Sequence, residues 1–442
     1  MLAKPNSTSQ LGFFATLADQ LDQKHSLYLL ANRIDWAVFE KAFSKHYSST
    51  QGKPAKPIRL MVSLLILKQL RNLSDESMVE QWSENIYYQY FSGTQTFTPK
   101  QPCVATELVE FRKRIGQEGI ELILKESIRI NGKDADEDTL SGDTTVQEKN
   151  ITYPTDDKLY KKIIAQCQSI ASTEQIELRQ SYSRTVKKLS IVQRMRRNKG
   201  GDTKARKAGK KVKTIAGRLV RELRRKLSAD ALNRHEMSLS LFGKVLAQKR
   251  NDTDKIYSLH EPQVKCYTKG KEHKKFEFGS KASFLITQKS GVIVGALNFT
   301  ETLHDSRTLP QVLEQYERLN GKQAREVYLD RGYRGPRHIN DTQLHTPRPD
   351  KKITITKRKK HKRRAAIEPV IGHLKHDYRM IRNYLKGANG DAINVMLSAA
   401  AMNFKRVINL WRTEAIRSWL LIYNFLVGIY WNFIPLKLKP TF

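Results

Sequence analysis

Three carboxylates in this chain stand where acids can do chemistry: Asp143 in a short β-like run, Asp330 at the end of a later apolar run, and Glu368 at the mouth of an amphipathic helix. Acids gathered from such distant stretches can hold two Mg²⁺ ions, because Mg²⁺ takes hard oxygen ligands and keeps places for waters and phosphate oxygens. Two such ions roughly 3.5–4 Å apart activate an attacking oxygen and stabilise the leaving one in an in-line displacement at phosphorus. Mn²⁺ accepts the same oxygen donors. Beside Glu368 the text supplies cations: the eight residues from Lys357 to Arg364 are seven Lys or Arg plus His361. Such a field suits a substrate rich in phosphate. A strand-end aspartate is more often a turn residue, so the acids by themselves leave a purely structural reading open.

The elements that must position these acids can be read from pattern. The run Val327, Tyr328, Leu329 ends in Asp330 and passes into a Gly-punctuated loop, Arg331 to Pro336. On an ideal helix Ile367, Ile371, Leu374, Tyr378, Ile381 and Leu385 share one stripe roughly 80° wide, with Glu368, Lys375, Arg379 and Arg382 in a polar stripe beside it. Pro369 directly after Glu368 fits a first helical turn, where a missing N–H costs nothing. Upstream, the acidic patch Asp134 to Asp138 precedes a strand over Thr139 to Val146, and Tyr153-Pro154-Thr155-Asp156 stops it, with Thr155 or Asp156 capping a helix that begins near Lys158. The text then stays helical and basic to about Arg250. Between Lys187 and Lys226 it holds 17 Lys or Arg against Asp202 and Glu222, a density that favours phosphate contact over a merely solvated surface. Arg196 to Lys213, rich in Gly and Lys, reads as a loop between two long helices. Strands return at Lys275 to Thr287 and Val292 to Leu297, joined by a turn at Gln288 to Gly291. A helix follows over Thr308 to Leu319 with Pro310 in its first turn; His304 and Asp305 close the turn before it, Asp305 as a cap and outside the catalytic set. After Gly387 the chain reads as helical to its end.

Residues before about 125 read as helices. Ile58 to Leu70 is nearly all apolar, and Leu73-Ser74-Asp75-Glu76 offers a break with Ser74 as the next N-cap. A third helix, around Glu107 to Ile130, carries Arg112, Lys113 and Arg114. Helix, tight turn and helix in a basic chain are compatible with a helix-turn-helix DNA reader; a helical scaffold or dimerisation module fits the same text.

The formal net charge of +35, with 79 Lys and Arg against 44 Asp and Glu over 442 residues, points to a polyanion and most simply to nucleic acid. Cys103, Cys167 and Cys266, 64 and 99 residues apart, make neither a zinc cluster nor a disulfide framework, which fits a reduced cytoplasmic setting. Met1 to Gln20 has no basic segment followed by a long apolar run, so no signal peptide is expected. Ser418 to Leu436 is 19 residues without a charge, just long enough to span a bilayer. Asn424, Gly428, Asn432 and its dispersed aromatics favour a buried or interface-forming helix over a membrane segment. Trp411 and Trp419 suit core packing better than stacking on a base.

Arg364, Glu368 and Lys375 match the R-(3)-E-(6)-K core of the signature of DDE transposases of bacterial insertion sequences. Ser141-Gly142-Asp143-Thr144-Thr145 with Pro154-Thr155-Asp156 resembles their first acid motif, and Tyr328-Leu329-Asp330-Arg331-Gly332-Tyr333 their second. Leu64 to Lys68, Leu73 to Glu76 and Tyr87 to Phe91 resemble their N-terminal domain. The likeness runs over roughly residues 50 to 400 and is nearest to the group named after insertion sequence five. It implies an α/β fold: an RNase H-like catalytic domain over 136–390 with a large basic helical insertion at about 158–255 after the first strand. An all-helical N-terminal domain over 1–130, for DNA binding or dimerisation, would precede it, and a helical region over 391–442 with an apolar tail would follow.

The resemblance also implies Asp143, Asp330 and Glu368 as ligands of two Mg²⁺, with Arg364, Lys375, His361, Arg379 and Arg382 as DNA contacts. For Arg364 and Lys375 the alternative is a surface ion pair with Glu368, and the resemblance also suggests a place near the active site for His304 and Asp305, with a helix cap as the alternative for Asp305. The activity implied is nicking of double-stranded DNA at terminal inverted repeats and attack of the freed 3′-hydroxyl on target DNA. A homodimer at the nucleoid, in the cytoplasm and away from membranes, would carry it out. Where the family signature has Tyr three positions before the Arg, this chain has His361. A catalytically silent DNA-binding protein derived from such an element is the competing expectation, and a membrane-anchored protein a third, resting on the tail alone.

Overall fold

The computed structural model describes residues 16–48, 54–249, 251–268, 275–333, 335–347 and 353–433, of which 414–433 in backbone only. The first 15 residues, Arg334, the Trp419 side chain and the end of the apolar tail lie outside it.

Helices α1 (Leu17–Gln20), α2 (Ser26–Arg33), α3 (Trp36–Ser44), α4 (Ile58–Leu70), α5 (Asp75–Glu84), α6 (Ile86–Phe91) and α7 (Ala105–Asn131) build the N-terminal part. Every residue of α4 except Arg59 is buried, as its apolar text requires. Ser74 caps α5 by accepting the Ser77 N–H. The outward residues of α5 are Glu76, Glu80 and Glu84, so the helix that would enter a groove presents acids, and the one before it is core. What fastens α4, α5 and α7 together is a buried charge cluster: Lys68 and Arg112 reach the Asp75 carboxylate at 2.8 and 2.6 Å. Burial alone would raise that carboxyl, but hydrogen bonds from Arg112 and the Lys68 charge outweigh it and hold it at about 2.

Strand β1 (Thr139–Glu148) runs through the middle of a mixed sheet. On one side it pairs antiparallel with β3 (Phe276–Thr287), whose far edge carries β2 (Lys265–Thr268) and β4 (Ile293–Phe299). On the other side it pairs parallel with β5 (Glu326–Tyr328), followed by β7 (Thr342–His345) and the short β6 (His338–Ile339). The expected strands and hairpin at 275–297 are there; β2, β6 and β7 are short enough to have escaped notice. Helix α12 (Asp305–Asn320) covers β3 and β4. It starts earlier than expected because His304 caps it, which puts Pro310 at its sixth position instead of its first turn.

Between β1 and β2 stand α8 (Asp156–Thr173), α9 (Ser183–Arg194), α10 (Gly201–Lys226) and α11 (Ala229–Ala247), with an apolar core of their own. Thr155 caps α8 as expected. The expected loop over 196–213 is mostly helix. Ala205, Ala208, Gly209, Val212 and Ile215 form one buried stripe of α10; small residues make a packing face that a search for large apolar side chains overlooks.

Helices α13 (Ile355–Arg364), α14 (Ile367–Asp377) and α15 (Gly387–Phe433) complete the chain. The helix beginning at Glu368 does not extend to Leu385. It ends at Asp377, Arg379 takes a left-handed φ of 62°, and Ile381 is half exposed. Helix α15 packs against α4, α7 and β4. Its Asn403, 1% exposed, donates to the Ser127 hydroxyl and the Ile293 carbonyl and accepts the Ile293 N–H. Trp411 lies half-buried against the same core. Among the described residues no helix is long and apolar enough to cross a membrane.

Candidate active site

Asp143 lies at the middle of β1, opposite Phe284 of β3. Next to it Gly142 approaches the β5 segment so closely that a Cβ would stand 2.8 Å from Leu329 Cδ2. That contact draws Leu329, and with it Asp330, against β1. Asp330 follows β5 in a tight turn, its Oδ1 accepting the Gly332 N–H at 2.9 Å. Arg364 ends α13 and Glu368 is the second residue of α14, one helical turn on. The Arg364 guanidinium stands 3.6 Å from Asp143 Oδ2 and donates to Glu368 Oε1 at 3.1 Å. One cation thus ties the first acid to the third.

Electrostatics mark the same place. Burial pushes the Asp143 carboxyl up to about 6 against the Thr144 N–H and Arg364, with Asp330 and Asp305 pressing it further up. Tyr333 is 5% exposed; burial, and then the charges of Asp143, Asp305 and Asp330, raise its phenol well above the ordinary range against the Ser283 hydroxyl.

The basic residues divide. His361 sits on α13 with its ring edge-on to Tyr328 at 5.0 Å, and Tyr328 stacks on His345 at 4.6 Å. Burial, then Lys357 and Arg364, lower the His361 imidazole and favour its neutral form. Lys360 bonds Glu326, and Arg363 bonds the Gln288 and Lys289 carbonyls. Lys357, Arg358, Lys359 and Lys362 face outward. Lys375 is half-buried, two turns beyond Glu368 on α14. Arg382 is exposed. Arg379 is engaged elsewhere: it donates to the Asn72 carbonyl at 3.0 Å and lies over the Tyr384 ring.

Asp305, for which the resemblance suggests a place near the active site and the local text a helix cap, accepts from the Thr144 hydroxyl and the Lys281 ammonium, each at 2.7 Å; the cap is His304. Tyr333 was visible only as part of a motif. Neither Thr144 nor Lys281 is near Asp305 in sequence, so only the strand pairing reveals the group.

In kind, the donors fit a hard divalent ion: carboxylate oxygens with room for further oxygen ligands. In position they are not closed around one. Among the described residues no three Asp, Glu, His or Cys side chains are close enough to hold an ion as they stand. Glu368, with 64% of its side chain exposed, is held by Arg364.

Comparison with known proteins identifies the family. Residues 15–114 match the family model described as Transposase domain (DUF772), and residues 250–404 the one described as Transposase DDE domain; together they take in more than half of the chain. A relative from Rhizobium meliloti, "Uncharacterized protein ORF8 in nfe locus", is 38% identical over 194 residues, which is 43% of this chain and 93% of that protein. No solved structure matches. With two transposase domain models in the expected order, and the second spanning Asp330, Arg364 and Glu368, the chain belongs to the DDE transposases of insertion sequences.

Proposed function

We propose that this chain is the transposase of an element in the insertion sequence five group, with an RNase H-like catalytic core. It uses Asp143, Asp330 and Glu368 to hold two Mg²⁺ ions, or Mn²⁺ in their place, while it nicks the element's terminal inverted repeats and joins the 3′-hydroxyl to target DNA. The observation that carries this reading is Arg364, within 3.6 Å of Asp143 and 3.1 Å of Glu368. The sheet supports the core assignment: antiparallel β4, β3 and β1, then parallel β5 and β7.

Bound cations supply an acidified nucleophile and a Lewis acid at the scissile phosphate. The chain's own residues do the rest. Asp143 on β1, Asp330 in the turn after β5 and Glu368 on the first turn of α14 would hold the ions. Arg364 exchanges its two carboxylates for phosphate oxygens, which a guanidinium grips in the same forked geometry. Lys375 and the neutral His361 imidazole hold the backbone on either side of it. The outward residues of α13, together with Lys204, Lys207, Lys210 and Lys211 on the exposed face of α10, neutralise flanking phosphates without reading sequence. Two ends must be paired, so a homodimer at the nucleoid is the acting form.

The test is Asp143→Ala with a duplex carrying the element's end sequence. Mg²⁺-dependent nicking should disappear while end binding stays within about twofold of wild type. Nicking that survives in Asp143→Ala refutes the site. A wild-type chain that binds but nicks with neither Mg²⁺ nor Mn²⁺ is instead the catalytically silent DNA-binding protein.

A further inference from the structure

We infer that Glu326 is a positioning residue of the reaction: through Lys360 it holds α13 on the sheet, and so keeps Arg364 between the acids it serves. The inference rests on the active-site reading above and deepens it.

Helix α13 is an awkward element to seat. From Lys357 to Arg364 every residue is Lys, Arg or His, and like charges a turn apart on one helix repel. Lys360, His361 and Arg364 stand at i, i+1 and i+4, within about 100° of one another on an ideal helix, so they share the face turned to the sheet. At the end of that face Arg364 meets Asp143 and Glu368. One turn back Lys360 meets Glu326: its Nζ donates to Oε2 at 2.5 Å, with the two side chains 32% and 19% exposed.

Glu326 gathers more than that lysine. It opens β5, and Tyr328, two residues on and fully buried, donates its hydroxyl to the same Oε2 at 3.4 Å. On the neighbouring strand His345 pairs with Tyr328, stacks on its ring and has its Nε2 at 3.9 Å from Glu326 Oε1. The Lys360 ammonium lies 5.7 Å from the centre of the Tyr328 ring, and His361 meets that ring edge-on. Burial alone would raise the Glu326 carboxyl, but the hydrogen bond and charge of Lys360 outweigh it and lower the group. A charged carboxylate therefore stands opposite the middle of the basic helix.

This pair outlasts the contacts at the end of the helix. When Arg364 exchanges its carboxylates for phosphate, Asp143 and Glu368 no longer hold α13, whereas Glu326 takes no part in the exchange. Without its charge the helix would be freer to leave the sheet, and Arg364 with it. Gln288 still donates to the Lys360 carbonyl at 3.1 Å, so loss of the ion pair loosens α13 without unfolding the chain.

The experiment measures single-turnover nicking at saturating end duplex, end binding and the thermal midpoint of the full-length protein, in wild type and in the Arg364→Ala background. Glu326→Gln should lower nicking at least about tenfold, since a displacement of about 1 Å can cost on the order of 10²-fold, with binding and midpoint close to wild type. In the Arg364→Ala background it should bring no further loss, as expected of a residue that acts through Arg364. Lys360→Met should fall as far as Glu326→Gln, and Lys360→Arg, which can still pair with the carboxylate, should nick nearly as wild type. Nicking by Glu326→Gln as in wild type, or the same fall in both backgrounds, overturns the inference while leaving the site intact. If Arg364→Ala itself nicks as wild type, the active-site reading fails instead. Should Glu326→Gln not fold, Lys360→Met carries the same comparison, and an equal fall in both backgrounds again contradicts the proposal.

Discussion

At the scale of single residues, Arg364 is the pivot. A surface ion pair contributes little, but this guanidinium is 14% exposed and serves two acids from different elements. The phosphate contact proposed for Arg364 predicts that Arg364→Ala lowers nicking by about 10²–10³-fold, the range for losing one charge-stabilising donor, with end binding reduced only a few-fold; equal losses in both assays would reduce Arg364 to a binding residue. Asp330 and Glu368 could be named from the sequence because they stand at element boundaries inside recognisable motifs, and Asp143 because it lies in such a motif along β1. The bond of Asp305 to Thr144, 161 residues away, could not be read there, because a short text of His, Asp and Ser before a helix looks the same whatever the aspartate contacts.

At the scale of elements, patterns of large apolar residues were read well and patterns of small ones badly. Helix α4 and the β3–β4 hairpin fell almost where the text put them. Helix α10 did not, because its buried stripe is built from Ala and Gly among lysines. The stripe from Ile367 to Leu385 overran the end of α14 since periodicity alone cannot see that Arg379 leaves the helical region. The Asp75 cluster joining α4, α5 and α7 allows a prediction at this scale. Asp75→Ala strands two buried cations and should cost about 3–5 kcal/mol in denaturant unfolding. The sign of its pH dependence follows from a folded-state carboxyl held at about 2. The unfolded state takes up the proton first, so the contribution of Asp75 is complete above the usual aspartate range near 3.8 and is lost as pH falls through about 2. Wild type and Asp75→Ala should therefore converge in stability towards pH 2; a constant gap from pH 7 to 2 would mean that the charge contributes nothing.

At the scale of the whole molecule, β1 is the shared spine. It carries Asp143, lies between β3 and β5, and is followed by Lys149, whose buried ammonium bonds Asp391 near the start of α15 at 2.7 Å and faces Glu261 at 3.4 Å. The segments that supply acids are thereby tied to the helix that packs on the N-terminal part, and the basic four-helix unit leaves and re-enters the core beside them. Part of the net charge of +35 lies on exposed Lys204, Lys207, Lys210 and Lys211 of α10 and Lys357, Arg358, Lys359 and Lys362 of α13, where the proposed contact with a DNA backbone would use it. The central claim is that Asp143, Asp330 and Glu368 share bound divalent cations. Replacement of Mg²⁺ by Fe²⁺ in the intact protein, followed by ascorbate and peroxide, cuts the polypeptide next to the bound iron. The account predicts cuts clustered near residues 143, 330 and 368, all suppressed by excess Mg²⁺; cuts near only one of the three, or at sites unaffected by Mg²⁺, would contradict it.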